Sequence, residues 1–211
     1  MKISANYWIF EGGLDGTLPI ADAMKQAAQL GFDGIELCIA SQGVLTQKTT
    51  QAECETFCEE AQKNGLEISG VASGESWGRS PTSHDPEVRQ SIIDFTKKAL
   101  QITKWLGTDA YLFVPGAVDV FFLPDGEVVP YDVCYQRATD SIFQIAPTAE
   151  KLGVSIAVEN VWNKFLLSPL EMRSFIDQFH SRNVGAYFDV GNVLLTGYPE
   201  QWIRILGSRI K

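Results

Sequence analysis

Basic residues are scarce in this sequence, and histidine is nearly absent. Lysine and arginine number 17 against 26 aspartates and glutamates in 211 residues, a net charge of −9. Such a surface repels polyanions, and no run of Lys and Arg makes the basic stripe of a nucleic-acid binder. No nucleic-acid partner is expected. The two histidines, His84 and His180, are too few for a centre built on several zinc ions. Long apolar runs are missing as well. Nothing approaches the ~20 residues of a membrane span, and Met1-Lys2-Ile3-Ser4-Ala5-Asn6 has neither the apolar core nor the cleavage site of a signal peptide. These absences lead us to expect a cytoplasmic protein with no membrane partner. Four scattered cysteines do not resemble a disulfide scaffold, and Cys54 and Cys58 read as ordinary thiols on one helix face.

What is present is rhythm. Short β-branched runs alternate with longer amphipathic segments, and the segments end alike. Ala27-Ala28-Gln29-Leu30 closes on Gly31 before Gly34–Cys38; Gln62-Lys63-Asn64 closes on Gly65 before Leu66–Val71. Trp105-Leu106 closes on Gly107 before Ala110–Val114, and Lys151-Leu152 closes on Gly153 before Val154–Val158. Glycine just past a helix takes the left-handed conformation at little steric cost. Helix starts are marked too. Thr50-Gln51-Ala52-Glu53 and Ser168-Pro169-Leu170-Glu171 fit capping boxes, and Asp85-Pro86-Glu87 places a cap before a proline. With Lys2–Tyr7 and Val184–Phe188 added, six strands and six helices are expected, the last a short one around Glu200–Leu206.

Strict alternation of strand and helix implies a parallel sheet with right-handed crossovers. A dinucleotide-binding sheet should carry G-x-G-x-x-G after its first strand. The sequence there is Trp8-Ile9-Phe10-Glu11-Gly12-Gly13-Leu14-Asp15-Gly16, which does not fit. Polar and aromatic residues gather instead after several different strands, as the C-terminal face of a (β/α)8 barrel requires. Six units in 211 residues average about 35 each, so eight need roughly 280. The expectation is a single domain over residues 1–211, a partial α/β (β/α)8 TIM barrel of about six units, with a seventh strand due where Ile210-Lys211 stand.

Two carboxylates occupy strand ends at the mouth of such a barrel. Glu159 follows Val154–Val158, and Asp189 follows Val184–Phe188. Neighbouring strands lie ~4.8 Å apart, so carboxylates on their ends can share one divalent cation. Hard oxygen donors suit Mg²⁺ or Mn²⁺, and an added imidazole widens the choice to Zn²⁺ or Co²⁺. Either acid could equally cap a helix or pair with a base.

The segments Val158-Glu159-Asn160-Val161-Trp162-Asn163 and Phe188-Asp189-Val190-Gly191-Asn192 resemble strands five and six of the xylose-isomerase-like barrels. Gly31-Phe32-Asp33-Gly34-Ile35-Glu36-Leu37 and Val114-Pro115-Gly116 are similar to strands two and four. The resemblance implies a metal-dependent isomerase or epimerase on a ketose or ketose phosphate, working through an enediolate. It implies one divalent metal, Mn²⁺ foremost, with Glu159 and Asp189 as ligands and Glu159 as an acid/base residue. In such epimerases a histidine and a second glutamate from strands seven and eight complete the set, and this sequence offers no counterpart to either. His84 and His180 fall away from the expected ligand positions.

Further candidates surround that pair. Trp8, Trp77 and Trp162 follow strands one, three and five, where a flat ring could cover a sugar or simply pack. Glu36 could meet substrate or anchor a buried network. Asn192 stands where some members of the family place a substrate-contacting histidine. Arg79 and Lys164 read as surface residues rather than phosphate ligands. The run Val118–Val129, with Pro124-Asp125-Gly126, reads as a hairpin that could serve as lid or subunit contact. A barrel of six units leaves two sheet edges open, so the chain is expected to close its gap as a homo-oligomer, to aggregate, or to be part of a longer polypeptide. The expected small-molecule partner is a sugar or sugar phosphate. A dehydratase or lyase on small polyols and a catalytically incomplete fragment are the alternatives. An endonuclease-IV-like nuclease is disfavoured by the charge and the two histidines.

Overall fold

The computed structural model describes residues 1–211. In chain order the elements are β1 Ser4–Asn6, α1 Ile20–Gln29, β2 Gly34–Cys38, α2 Gln51–Lys63 and β3 Glu67–Ala72. Next come α3 Glu75–Gly78, α4 Pro86–Trp105, β4 Ala110–Phe113, α5 Tyr131–Leu152 and β5 Ser155–Glu159. The series ends with α6 Pro169–Asp177, β6 Val184–Tyr187, α7 Val190–Val193 and α8 Pro199–Leu206. The single-turn helices α3 and α7 were not foreseen; both sit in loops that leave strand ends. No helix is long and apolar enough to cross a membrane.

All six strands form one sheet in the order β1-β2-β3-β4-β5-β6, and every neighbouring pair is parallel. This is the α/β barrel architecture that the alternation implied. Beyond β6, Ile210 bridges Ala186 in parallel, and the Lys211 N–H donates to the Ala186 carbonyl at 3.0 Å. Chain thus lies beside β6 where a seventh strand was expected. Gly185 permits that approach, because a Cβ there would stand 2.5 Å from the Arg209 carbonyl oxygen.

The helices are built as the sequence prescribed. Thr50 accepts from the Glu53 N–H while Glu53 returns a bond to the Thr50 N–H, a complete capping box. Asp85 caps α4, whose first residue is Pro86. Ser168 caps α6, but its Glu171 reaches back to the Leu167 N–H at 2.9 Å and not to Ser168 itself. Gly153 ends α5 at φ 67°, and Gly31, Gly65 and Gly107 share that left-handed region. The first strand is shorter than expected because the Asn6 side chain accepts from the Trp8 N–H, turning the chain into a 3-10 turn over Tyr7–Ile9.

Side chains alternate across the sheet with period two. Ile35 and Leu37, Tyr111 and Phe113, Ile156 and Val158, and Val184 and Ala186 join the core under the helices. That layer meets Met24, Phe95, Ile142 and Phe175 from α1, α4, α5 and α6. The intervening positions face the barrel interior, where Ala72, Leu112 and Val114 form a small apolar floor beneath Trp8, Cys38, Trp77 and Tyr187. On this inward face lie Glu36, Glu159 and Tyr187.

The Val118–Val129 hairpin does not form. One backbone bond joins its ends, Val129 N–H to Val118 O at 2.9 Å, and no strand develops between them. The Val118 N–H donates instead to the Asn163 carbonyl of the following β5–α6 loop, also at 2.9 Å. The Pro-Asp-Gly turn is present, closed by Gly126 N–H to Leu123 O at 2.8 Å.

Candidate active site

Parallel pairing of β5 with β6 ends at Glu159 opposite Tyr187, so both side chains point into the barrel mouth. Asp189 follows two residues later. Its Oδ1 accepts the Asn192 N–H at 2.9 Å and caps α7. Gly191 leaves room for that carboxylate, since a Cβ there would lie 3.2 Å from Oδ1. The Asn192 side chain donates to the Asn160 carbonyl at 2.9 Å and to Glu159 Oε1 at 3.4 Å. Asn192 therefore touches both carboxylates.

Burial and like charge act together on Glu159. Removal from water, with the charges of Asp189 and Glu36 adding to it, pushes its carboxyl up to about 8. Neither Oε2 of Glu159 nor Oδ2 of Asp189 receives a hydrogen bond, so each carboxylate keeps one uncommitted oxygen. No group of three or more His, Cys, Asp and Glu side chains gathers to hold a metal. The pair supplies two hard oxygen donors on one side of a site.

Glu36 is 7% exposed and fully engaged. Asn6 Nδ2 donates to its Oε2 at 2.5 Å, and the Tyr187 hydroxyl lies 3.0 Å from both carboxylate oxygens. Burial raises its pKa, and the bonds from Asn6 and Tyr187 offset only part of that rise. Gly70 on β3 accommodates this carboxylate, for a Cβ would sit 3.2 Å from Glu36 Oε1. Between the two sequence readings of Glu36, its bonds are those of an anchored network.

The three tryptophans divide. Trp8 and Trp77 pack on the interior floor. Trp162 is half exposed and faces Phe121, with ring centroids 6.1 Å apart. Phe121 meets Phe122 at 5.2 Å, and Phe122 meets Trp77 edge-on at 5.1 Å. The β4–α5 loop thus spans the mouth from the β3 side to the β5 side. Beside it lies a cavity of about 430 Å³, walled mostly by apolar groups such as Phe121, Trp162, Leu195 and Trp202. Asn160 and Asn192 form the edge of that cavity nearest the carboxylates.

The charged residues weighed for phosphate are occupied. Arg79 donates to Glu75 at 2.5 Å and to Ser41 at 3.0 Å, and lies over the Phe95 ring. Lys164 pairs with Asp119. Neither histidine joins the pair. His84 sits between Arg137 and the Val128 carbonyl, and His180 precedes β6 at the end opposite Asp189. All four cysteines are free thiols.

Sequence reasoning passed over Asn160 and Tyr187 as site residues. Asn160 is 6% exposed; its Oδ1 accepts the Asp189 N–H and its Nδ2 donates to the Asp189 carbonyl, both at 2.8 Å. Its place directly after Glu159 was the one available signal. Tyr187 could have been found by stepping inward along β6 from Gly185.

Comparison with known proteins agrees with this architecture. The family described as "Xylose isomerase-like TIM barrel" matches residues 24–211. The chain is 20% identical over 190 residues to an uncharacterised protein of Methanocaldococcus jannaschii, covering 89% of this chain and 61% of that one. It therefore spans about three-fifths of that relative. Among solved structures, D-psicose 3-epimerase crystallised with D-fructose is 21% identical, covers 100% of this chain and 71% of its own, and superposes with a TM-score of 0.80. D-psicose 3-epimerase from Clostridium cellulolyticum H10, with D-tagatose, is 19% identical at the same coverages, with a TM-score of 0.81. The 3-keto-D-glucoside 4-epimerase of E. coli is 15% identical, over 100% of this chain and 76% of that one, with a TM-score of 0.77.

Proposed function

The chain belongs to the xylose isomerase-like TIM barrel family, and from that premise we propose that it is a divalent-metal-dependent isomerase or epimerase of a ketose. The observation that carries this reading is the carboxylate pair: Glu159 and Asp189, on adjacent strand ends, share Asn192 and each keep a free oxygen. Their oxygens fit a hard cation, Mn²⁺ foremost, with Glu159 and Asp189 holding it from one side. Such a cation, when bound, would polarise the ketose carbonyl and make the neighbouring C–H more acidic.

Glu159 does the proton work. Its carboxylate stands at the barrel mouth, where it can take a proton from carbon and give one back. Moving a proton between adjacent carbons on one face needs only this carboxylate; inverting a centre needs a second group on the other face. Glu36 is poorly suited to that task, since Asn6 and Tyr187 already engage both of its oxygens. Trp162 and Phe121 offer exposed aromatic faces for the apolar side of a sugar. The pairing of Arg79 with Glu75 and of Lys164 with Asp119 favours an unphosphorylated ketose.

The test is to incubate the chain with Mn²⁺ and D-fructose, D-tagatose or D-psicose in D₂O. Proton and carbon NMR then follow deuterium uptake next to the carbonyl and the appearance of a new sugar. The expected result is exchange with one of these ketoses and its loss by at least ~100-fold in Glu159→Gln. No exchange, or exchange indifferent to Glu159→Gln, would overturn the proposal.

A further inference from the structure

The last paired residues of β5 and β6 are Glu159 and Tyr187. One step further on, where no backbone ladder remains, a side chain takes over. The Asn160 carboxamide accepts the Asp189 N–H and donates to the Asp189 carbonyl, both at 2.8 Å, as a neighbouring peptide group would. The link is then closed into a ring. Asp189 Oδ1 accepts the Asn192 N–H at 2.9 Å, and Asn192 Nδ2 returns to the Asn160 carbonyl at 2.9 Å.

We infer that Asn160 is a positioning residue, which together with Asn192 fixes the separation and aim of the Glu159 and Asp189 carboxylates. This rests on the reading of those carboxylates as a cation site. When both carboxylates are ionised, as cation binding requires, they repel one another, and a free strand end would swing apart to relieve that repulsion. The ring opposes it. It holds the Asp189 backbone by both polar groups and commits Oδ1 to Asn192, so that Oδ2 alone is offered outward. Both hydrogens of the Asn192 amide are spent inside the ring and on Glu159, so Asn192 also acts through the carboxylates. Asn160 is 6% exposed, and its carboxamide has no other partner. Apart from this carboxamide, Asp189 is tied toward β5 only through Asn192.

The experiment is calorimetric titration of the 211-residue chain with Mn²⁺, comparing wild type with Asn160→Ala, Asn192→Ala and the double variant. Thermal melts run beside each titration. Loss of a group that orients a ligand typically weakens metal binding ~10–100-fold. The inference therefore expects at least about a tenfold rise in Kd for Asn160→Ala in protein that is still folded. It expects a smaller rise for Asn192→Ala, whose backbone N–H still serves Asp189. The double variant should be little worse than Asn160→Ala alone, because either substitution opens the same ring. Should Asn160→Ala fail to fold, Asn192→Ala decides: a rise in Kd supports the ring and an unchanged Kd overturns it. A lowered melting temperature with an unchanged Kd would mean that Asn160 only holds the loop, and would overturn the inference while leaving the cation site standing. Wild type that binds no Mn²⁺, or binds it equally well after Glu159→Gln and Asp189→Asn, overturns the site and the inference together.

Discussion

Tyr187 on β6 reaches through the barrel to Glu36 on β2, its hydroxyl 3.0 Å from each carboxylate oxygen. Three strands of curled sheet, β3, β4 and β5, separate the two residues, and the bond joins them across the interior. Tyr187→Phe should therefore leave Glu36 with Asn6 as its one remaining donor. A hydrogen bond to a charged group contributes about 1.5–3 kcal/mol, and we expect a loss at the low end because Tyr187 is only half-buried. Urea denaturation measures it; a change under ~0.5 kcal/mol would mean that the contact carries little stability.

Glu159 gives the fold a dependence on pH. Its carboxyl rises from the ordinary 4.5 to about 8, so the folded chain holds this proton more tightly than the unfolded chain does. Its contribution to stability is full below pH 4.5 and is lost as pH rises through 8. Metal-free protein should accordingly be less stable at pH 9 than at pH 6. Glu159→Gln should flatten that slope and melt higher than wild type at pH 9. Melts across this range check it, and parallel curves for the two proteins would contradict it.

The β4–α5 loop is moored at its far end by Glu127, which accepts from the Ser83 hydroxyl at 2.9 Å and from the His84 N–H at 2.7 Å. Glu127→Ala should free the segment around Phe121 and Phe122 while leaving the barrel core untouched. Limited proteolysis should cut near residues 121–128 several-fold faster, with the melting temperature within a few degrees of wild type. Equal cleavage rates would show that the aromatic contacts hold the loop alone.

Much of the fold was legible because its signals are local. Gly31, Gly65, Gly107 and Gly153 end helices by a backbone conformation that needs no distant partner, and Thr50 and Asp85 start them with their own side chains. Glu159 and Asp189 were legible for a related reason, since the period of the strands fixes which residue stands at the mouth. The Tyr187–Glu36 contact was not, because it depends on how far the whole sheet curls. The Val118–Val129 run misled: its Pro-Asp-Gly turn fits a hairpin, but the Asn163 carbonyl takes the Val118 N–H and the His84 ring meets the Val128 carbonyl, so no ladder forms. Asn160 was hidden in plain view, for nothing local says that its carboxamide will stand in for a peptide.

The most direct measurement of the central claim is Mn²⁺ titration by calorimetry of wild type, Glu159→Gln and Asp189→Asn, each shown to be folded by circular dichroism. A cation held between the ends of β5 and β6 predicts saturable binding at one site in wild type and its loss in both variants. Absence of binding in the folded wild type, or binding that survives both substitutions, would contradict it.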